Sequence, residues 1–148
     1  MPDLSNNTVQ LAISKQSKYL EAIAFDEITP GMLLRWVGED VVRKHNQEEG
    51  RLEPLFAVEN PYWGKEIGDN YQAGDRVMIR ELRHGDEIIA WAHPNETYTY
   101  GDHLVSAGSG ALKSIAAPLT VSENCVVGVA LETLGLITEF QRITIHVY

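Results

Sequence analysis

The sequence predicts an all-β fold: an antiparallel β-sandwich or small β-barrel with long loops and an extended N-terminal arm. Three observations lead there. In "DRVMIREL", Val77 and Ile79 face one way while Arg76, Met78 and Arg80 face the other. The closing "RITIHVY" repeats the pattern with Ile143, Ile145 and Val147. Such alternation gives a strand one buried and one wetted face, as antiparallel sheets require. Gly-Asp recurs just before strand-like runs, at Gly74-Asp75, Gly85-Asp86 and Gly101-Asp102, with Gly68-Asp69 as a weaker copy. Glycine takes the left-handed position of a turn and aspartate binds nearby amides. Finally, no stretch sustains apolar residues at helical spacing over roughly 11 positions.

Taken in order, residues 1–18 read as an arm and residues 19–148 as one β domain, a length that suits a single core. The arm is rich in Ser, Asn and Gln, and Lys15 and Lys18 outnumber Asp3, against an acidic remainder. It reads either as a disordered leader or as a segment that orders against a partner through Val9, Leu11, Ile13, Lys15 and Lys18. "SKYLEAIAFDEI" suits a strand as well as a helix. Thr29-Pro30-Gly31 is a turn, since proline presets φ and glycine supplies a positive one. "MLLRWV" and "VVRKH" flank a second turn at Gly38-Glu39-Asp40 and read as a hairpin.

Residues 46–54 form a polar loop and "LFAVE" a short strand. The long connection "NPYWGKEIGDNYQAG" follows, and loops of that length are often functional. Its Tyr62 and Trp63 serve either as an anchor or as a partner contact, because such residues dominate interface hot spots. "HLVSA" and "ALKSIA" read as a hairpin with Gly108-Ser109-Gly110 at its tip. "ETLGLITEF", residues 132–140, is a candidate short helix weakened by Gly135. Trp36 and Trp91 fall inside strand runs as core or half-buried residues. The total is eight to ten short strands.

Several chemistries are excluded by the residues. "SAGSGALKS" resembles a phosphate-binding loop, but Leu112 stands where glycine must precede Lys113, and Ala107 replaces the first glycine. No G-x-S-x-G elbow is present. Asp86-Glu87 and Glu48-Glu49 are adjacent carboxylates that a strand would point apart, so they read as solvated charges. A formal charge of −9 opposes a nucleic-acid surface. No apolar run approaches the ~20 residues of a membrane span, and no secretory signal pattern opens the chain, so synthesis in the cytoplasm is expected. Cys125, the single cysteine, sits in an apolar run and reads as a buried, inert thiol. No cofactor is implied, and the chain is not read as an enzyme.

The pieces "AIAFDEITPGMLL", "VVRKHNQEEGRLEPLFAVENPYWGKEI", "NYQAGDRVMIRELRHGDEIIAWA", "YGDHLVSAGSGALKS", "VVGVALETL" and "ITIHVY" together resemble the head decoration, or cement, proteins of tailed bacteriophages. The resemblance covers about residues 20–148 and rests on turn and strand patterns. It implies an all-β virion protein on the outer surface of the head, bound to the major capsid protein, commonly as a homotrimer. It also implies an N-terminal arm running across neighbouring subunits, and brings no catalytic residues. Two other readings stand beside it. One is a ligand- or carbohydrate-binding β module that stacks on Tyr62, Trp63 and Tyr98. The other is a metal-dependent β-barrel enzyme using His93 and His103.

Overall fold

The structure, a computed structural model, describes residues 8–115 and 123–148. Eleven strands lie among these residues: β1 (Gln10–Ala12), β2 (Lys18–Ala24), β3 (Leu34–Gly38), β4 (Val41–Lys44), β5 (Leu55–Ala57), β6 (Arg76–Glu81), β7 (Glu87–Ala92), β8 (His103–Ser106), β9 (Leu112–Ile115), β10 (Val126–Ala130) and β11 (Gln141–Val147). They make two sheets. One runs β1-β7-β11-β10-β8-β9 and closes into a five-stranded barrel, because β9 returns to β7 through a parallel pair at Ala92 and Leu112. The other runs β3-β4-β2-β6-β5, and its end strands curl together where Leu33 bridges Phe56. The expected all-β class is borne out, as a barrel with a second sheet beside it.

Alternation decides which faces are buried. Ile143, Ile145 and Val147 of β11 turn into the barrel core with Ile88, Leu104 and Leu112, all essentially inaccessible to water. Val77 and Ile79 of β6 enter a second core with Leu34, Val42 and Tyr71. Met78, between them, packs instead against the barrel core, so β6 is covered on both faces. At about 25 cal/mol per Å² of apolar surface, these two cores supply the main driving force for the fold. Tyr71 and Tyr98 bury their rings and satisfy their hydroxyls on backbone carbonyls. Tyr71 donates to Val58 at 2.7 Å, and Tyr98 lies within hydrogen-bond distance of the carbonyls of His93 and Leu112. Burial pushes the Tyr71 phenol up to about 12.

The Gly-Asp pairs build one recurring device. In each of the three main copies the glycine takes a positive φ, between +88° and +97°, at the third position of a tight turn. The aspartate carboxylate accepts the amide three residues back: Asp75 from Gln72, Asp86 from Arg83 and Asp102 from Thr99, at 2.8–2.9 Å. Each turn then grips one buried residue of a neighbouring strand. Gly74 donates to the Ala24 carbonyl and Ala24 to that of Asp75. Gly85 and Asp86 hold Val147 in the same way, and Gly101 and Asp102 hold Ala130. Gly68-Asp69 keeps the carboxylate bond, to Glu66 at 2.9 Å, but its glycine does not take a positive φ. Turn chemistry in the sequence thus marks three points where loops are clamped to the sheets.

The hairpin of β8 and β9 is present, and its tip docks on the second sheet: Leu33 donates to the Gly110 carbonyl and Gly110 to that of His45. Lys113 there is held by Glu48 and Glu49, an ion pair in place of a phosphate site. The turns at 29–31 and 38–40 hold, as does the β3–β4 hairpin. "SKYLEAIAFDEI" resolves as strand β2.

Residues 132–140 are not helical. Leu134 instead exchanges backbone hydrogen bonds with Tyr98, so barrel-end pairing overrides a weak local helical preference. Asp86 is not a solvated charge but lies 2% exposed. Cys125 is half-buried in a single 3-10 turn rather than enclosed. Trp36 and Trp91 are half-buried. No described helix is long and apolar enough to cross a membrane.

Candidate functional site

The residues singled out for partner contact lie on the N-terminal segment and on the long loop after β5. The structure brings parts of both together. Residues 1–7 of the arm lie outside the described residues, while residues 8–18 run along the domain. Strand β7 explains why. One of its edges is fully paired with β11, whereas β9 reaches the other only at Ala92. That leaves Glu87 and Ile88 with an open edge, which β1 fills antiparallel, Ile89 donating to the Val9 carbonyl at 2.8 Å. A strand edge left bare is a standing liability, so the segment is held by backbone demand rather than by its polar composition.

Val9 is fully buried in the barrel core and Ile13 packs against its margin. They are therefore structural residues of this chain. Leu11, at 41% exposure, faces outward with Lys15 and Lys18. After β1 the segment is fastened by Asp86, whose carboxylate accepts from the Ser14 amide at 2.8 Å and from the Ser17 hydroxyl. Burial alone would push this carboxyl up, but the bonds from Ser17, Arg83 and Ser14 outweigh it and hold the carboxyl below the ordinary aspartate range.

On the loop, Pro61–Trp63 form a single 3-10 turn that no buried residue ties down, and it ends at Gly64 in the left-handed conformation. Tyr62 is 96% exposed and Trp63 44%. Beside the turn lies a groove of about 440 Å³ lined by Thr8, Gln10, Tyr19, Glu59, Asn60, Pro61, Tyr62 and Met78. Its fixed end is a hydrogen-bonded cluster. Glu59 accepts from the Thr8 hydroxyl, the Val9 amide and the Gln10 side-chain amide. The Gln10 carbonyl in turn takes the Tyr19 hydroxyl at 3.1 Å and Arg80 Nε at 2.8 Å. Arg80 stacks 3.4 Å over the Tyr19 ring, its cross-strand neighbour on β6.

Tyr19, Glu59 and Asn60 were not singled out by the sequence. Tyr19 sat in a run readable as helix or strand, and nothing local marks Glu59 or Asn60 as neighbours of residue 8. Only a pattern placing residues 8–10 beside the loop would have found them.

The remaining candidates do not gather into a site. Tyr98 is fully buried and offers no stacking surface, because its ring fills the barrel core. His93 and His103 are set apart by register: Ala92 lies opposite Leu112, and His103 opposite Ile115 at the far end of β9. His93 meets Phe140 edge-on and His103 meets Tyr148. Among the described residues, no three His, Cys, Asp or Glu side chains stand where they could share a metal ion. His45, 1% exposed, lies 2.7 Å from the Ser106 hydroxyl and 3.1 Å from the Arg51 carbonyl. A carbonyl can only accept, so Nε2 carries the proton and Nδ1 receives the hydroxyl's. Burial lowers the pKa of this ring, which serves as a structural link.

No family model matches the sequence, and no curated protein does. Among solved structures, the chain is similar to the crystal structure of the head fiber gp8.5 N base of bacteriophage phi29, with a TM-score of 0.58 at 16% identity. The match spans 90% of this chain and 95% of that one. This is a likeness of fold over nearly the full length of both chains.

Proposed function

We propose that this chain is a structural component of a bacteriophage head. In this reading it sits on the outer surface of the assembled shell, touches the major capsid protein and bridges neighbouring subunits as a homotrimer. The observation that carries the reading is the near full-length fold likeness to the base of a phage head fiber. The turn-and-strand resemblance to decoration proteins points the same way. The contact residues we assign are Leu11, Lys15 and Lys18 of the N-terminal segment, together with Trp63, all of them exposed. The described part of that segment is already ordered on its own domain, so docking would not incur the cost of ordering it. Contacts that are weak singly become strong when one protein engages several subunits at once.

The reading is tested by mixing the purified protein with heads assembled without it and sedimenting them. Saturable, stoichiometric co-sedimentation is expected, weakened at least tenfold by a combined Leu11→Asp and Trp63→Ala change. A protein that stays in the supernatant at all concentrations would remove the shell-binding role.

A further inference from the structure

We infer that the groove between β1, β2 and the Pro61–Trp63 turn is a binding site for a neutral saccharide. The key residue is Asn60. It is 4% exposed, yet its side-chain amide makes no hydrogen bond at the cap of the turn, and none elsewhere among the described residues. Both polar atoms of that amide keep contact with solvent, so it is available to pair with water or with a ligand in the groove. Asn60 lines the groove, so its donor and acceptor are presented to whatever enters.

The rest of the lining narrows the ligand. Tyr62, 96% exposed, and Tyr19, 54% exposed, supply aromatic surface, and Met78 an apolar floor. Tyr19 is held in place by Arg80 and Gln10, so one wall of the groove is preorganised. A volume of about 440 Å³ falls within the range of small-molecule sites, which combine apolar walls with a few polar groups. The only formal charge in the lining is the Glu59 carboxylate, which repels anions and already receives three donors. Arg80 nearby is committed to Gln10, the Ser17 carbonyl and the Tyr19 ring. What stays open is one amide, able to donate and accept at once, flanked by aromatic rings. A sugar suits that set, with hydroxyls of both hydrogen-bonding senses on an apolar ring face. The inference stands independently of the head reading, since a chain absent from particles could still bind the sugar.

The test is saturation-transfer NMR on the full chain with the methyl glycosides of glucose, galactose, mannose, N-acetylglucosamine and N-acetylgalactosamine. Glucuronic acid and choline serve as charged controls. At least one neutral glycoside is expected to bind saturably, at least tenfold more weakly in Tyr62→Ala and in Asn60→Ala. Tyr62 makes almost no packing contact, so its variant folds normally and decides the matter even if Asn60→Ala does not fold. Absence of saturable binding by every neutral glycoside, binding unchanged in Tyr62→Ala, or binding of only a charged control would overturn the assignment.

Discussion

Asp86→Ala is expected to destabilise the protein by about 3 kcal/mol, which for a domain of this size lowers the melting temperature by roughly 6–12 °C. The carboxylate accepts from the Ser14 amide, the Ser17 hydroxyl and the Arg83 amide. Alanine leaves all three donors without their acceptor. Only those near the surface can turn to water, and a buried orphan costs about 1–3 kcal/mol. Because Asp86 both closes a turn and fastens residues 14–17, β1 should loosen on β7 with it. Hydrogen exchange at Ile89, whose amide donates to Val9, reports that directly.

The pH dependence has a definite sign. The folded carboxyl titrates below its unfolded value, so its contribution is complete above about pH 4 and fades as pH falls through the folded pKa. The stability gap between the native protein and Asp86→Asn should therefore be widest near neutrality and shrink below pH 4. A gap that stays constant into acid would mean that the carboxylate is not the fastening group.

Arg142→Ala is expected to cost a similar amount, about 3 kcal/mol, through a different route. The guanidinium is largely buried and donates to the carbonyls of Pro30 at 2.8 Å and Ile67 at 2.7 Å. It also lies 4.2 Å over the Trp91 ring. One side chain thus ties β11 to the turn after β2 and to the long loop after β5. Burial lowers its pKa to about 10, so the charge survives at neutral pH. Removing it relieves that desolvation but orphans the Ile67 carbonyl and forfeits the stack, worth about 0.5–2 kcal/mol. Lysine cannot span both carbonyls with one ammonium, so Arg142→Lys should recover less than half of the loss. Thermal unfolding gives the magnitude, and faster exchange confined to residues 65–71 identifies the mechanism. Uniformly raised exchange would instead point to a general loss of core packing.

Legibility in the sequence followed the range of the interaction. Strands β6 and β11 could be read because alternation is local: Val77 and Ile79 on one, and Ile143, Ile145 and Val147 on the other, are buried at every second position. The Gly-Asp turns could be read for the same reason: φ and the carboxylate bond are set within four residues. Residues 132–140 misled because Leu134 and Ile137 are compatible with a helical face, and the partner that claims them, the segment at 95–98, is distant in sequence.

The N-terminal segment was opaque for a related reason. Its composition is that of a free leader, and only the incomplete coverage of β7 by β9 makes a place for it. Asp86 read as a surface charge because its ligands at Ser14 and Ser17 lie some 70 residues away. The groove was half visible, through Tyr62. Tyr19, Glu59 and Asn60 join it only through pairings between β1, β2, β6 and the loop, which no short window contains.

The most direct test of a structural role in the head is the protein composition of purified virus particles, measured by quantitative mass spectrometry against the major capsid protein. A head component should be present in a fixed ratio to the shell protein and in many copies per particle. Particles that are complete and infectious but contain none of this chain would contradict the role outright.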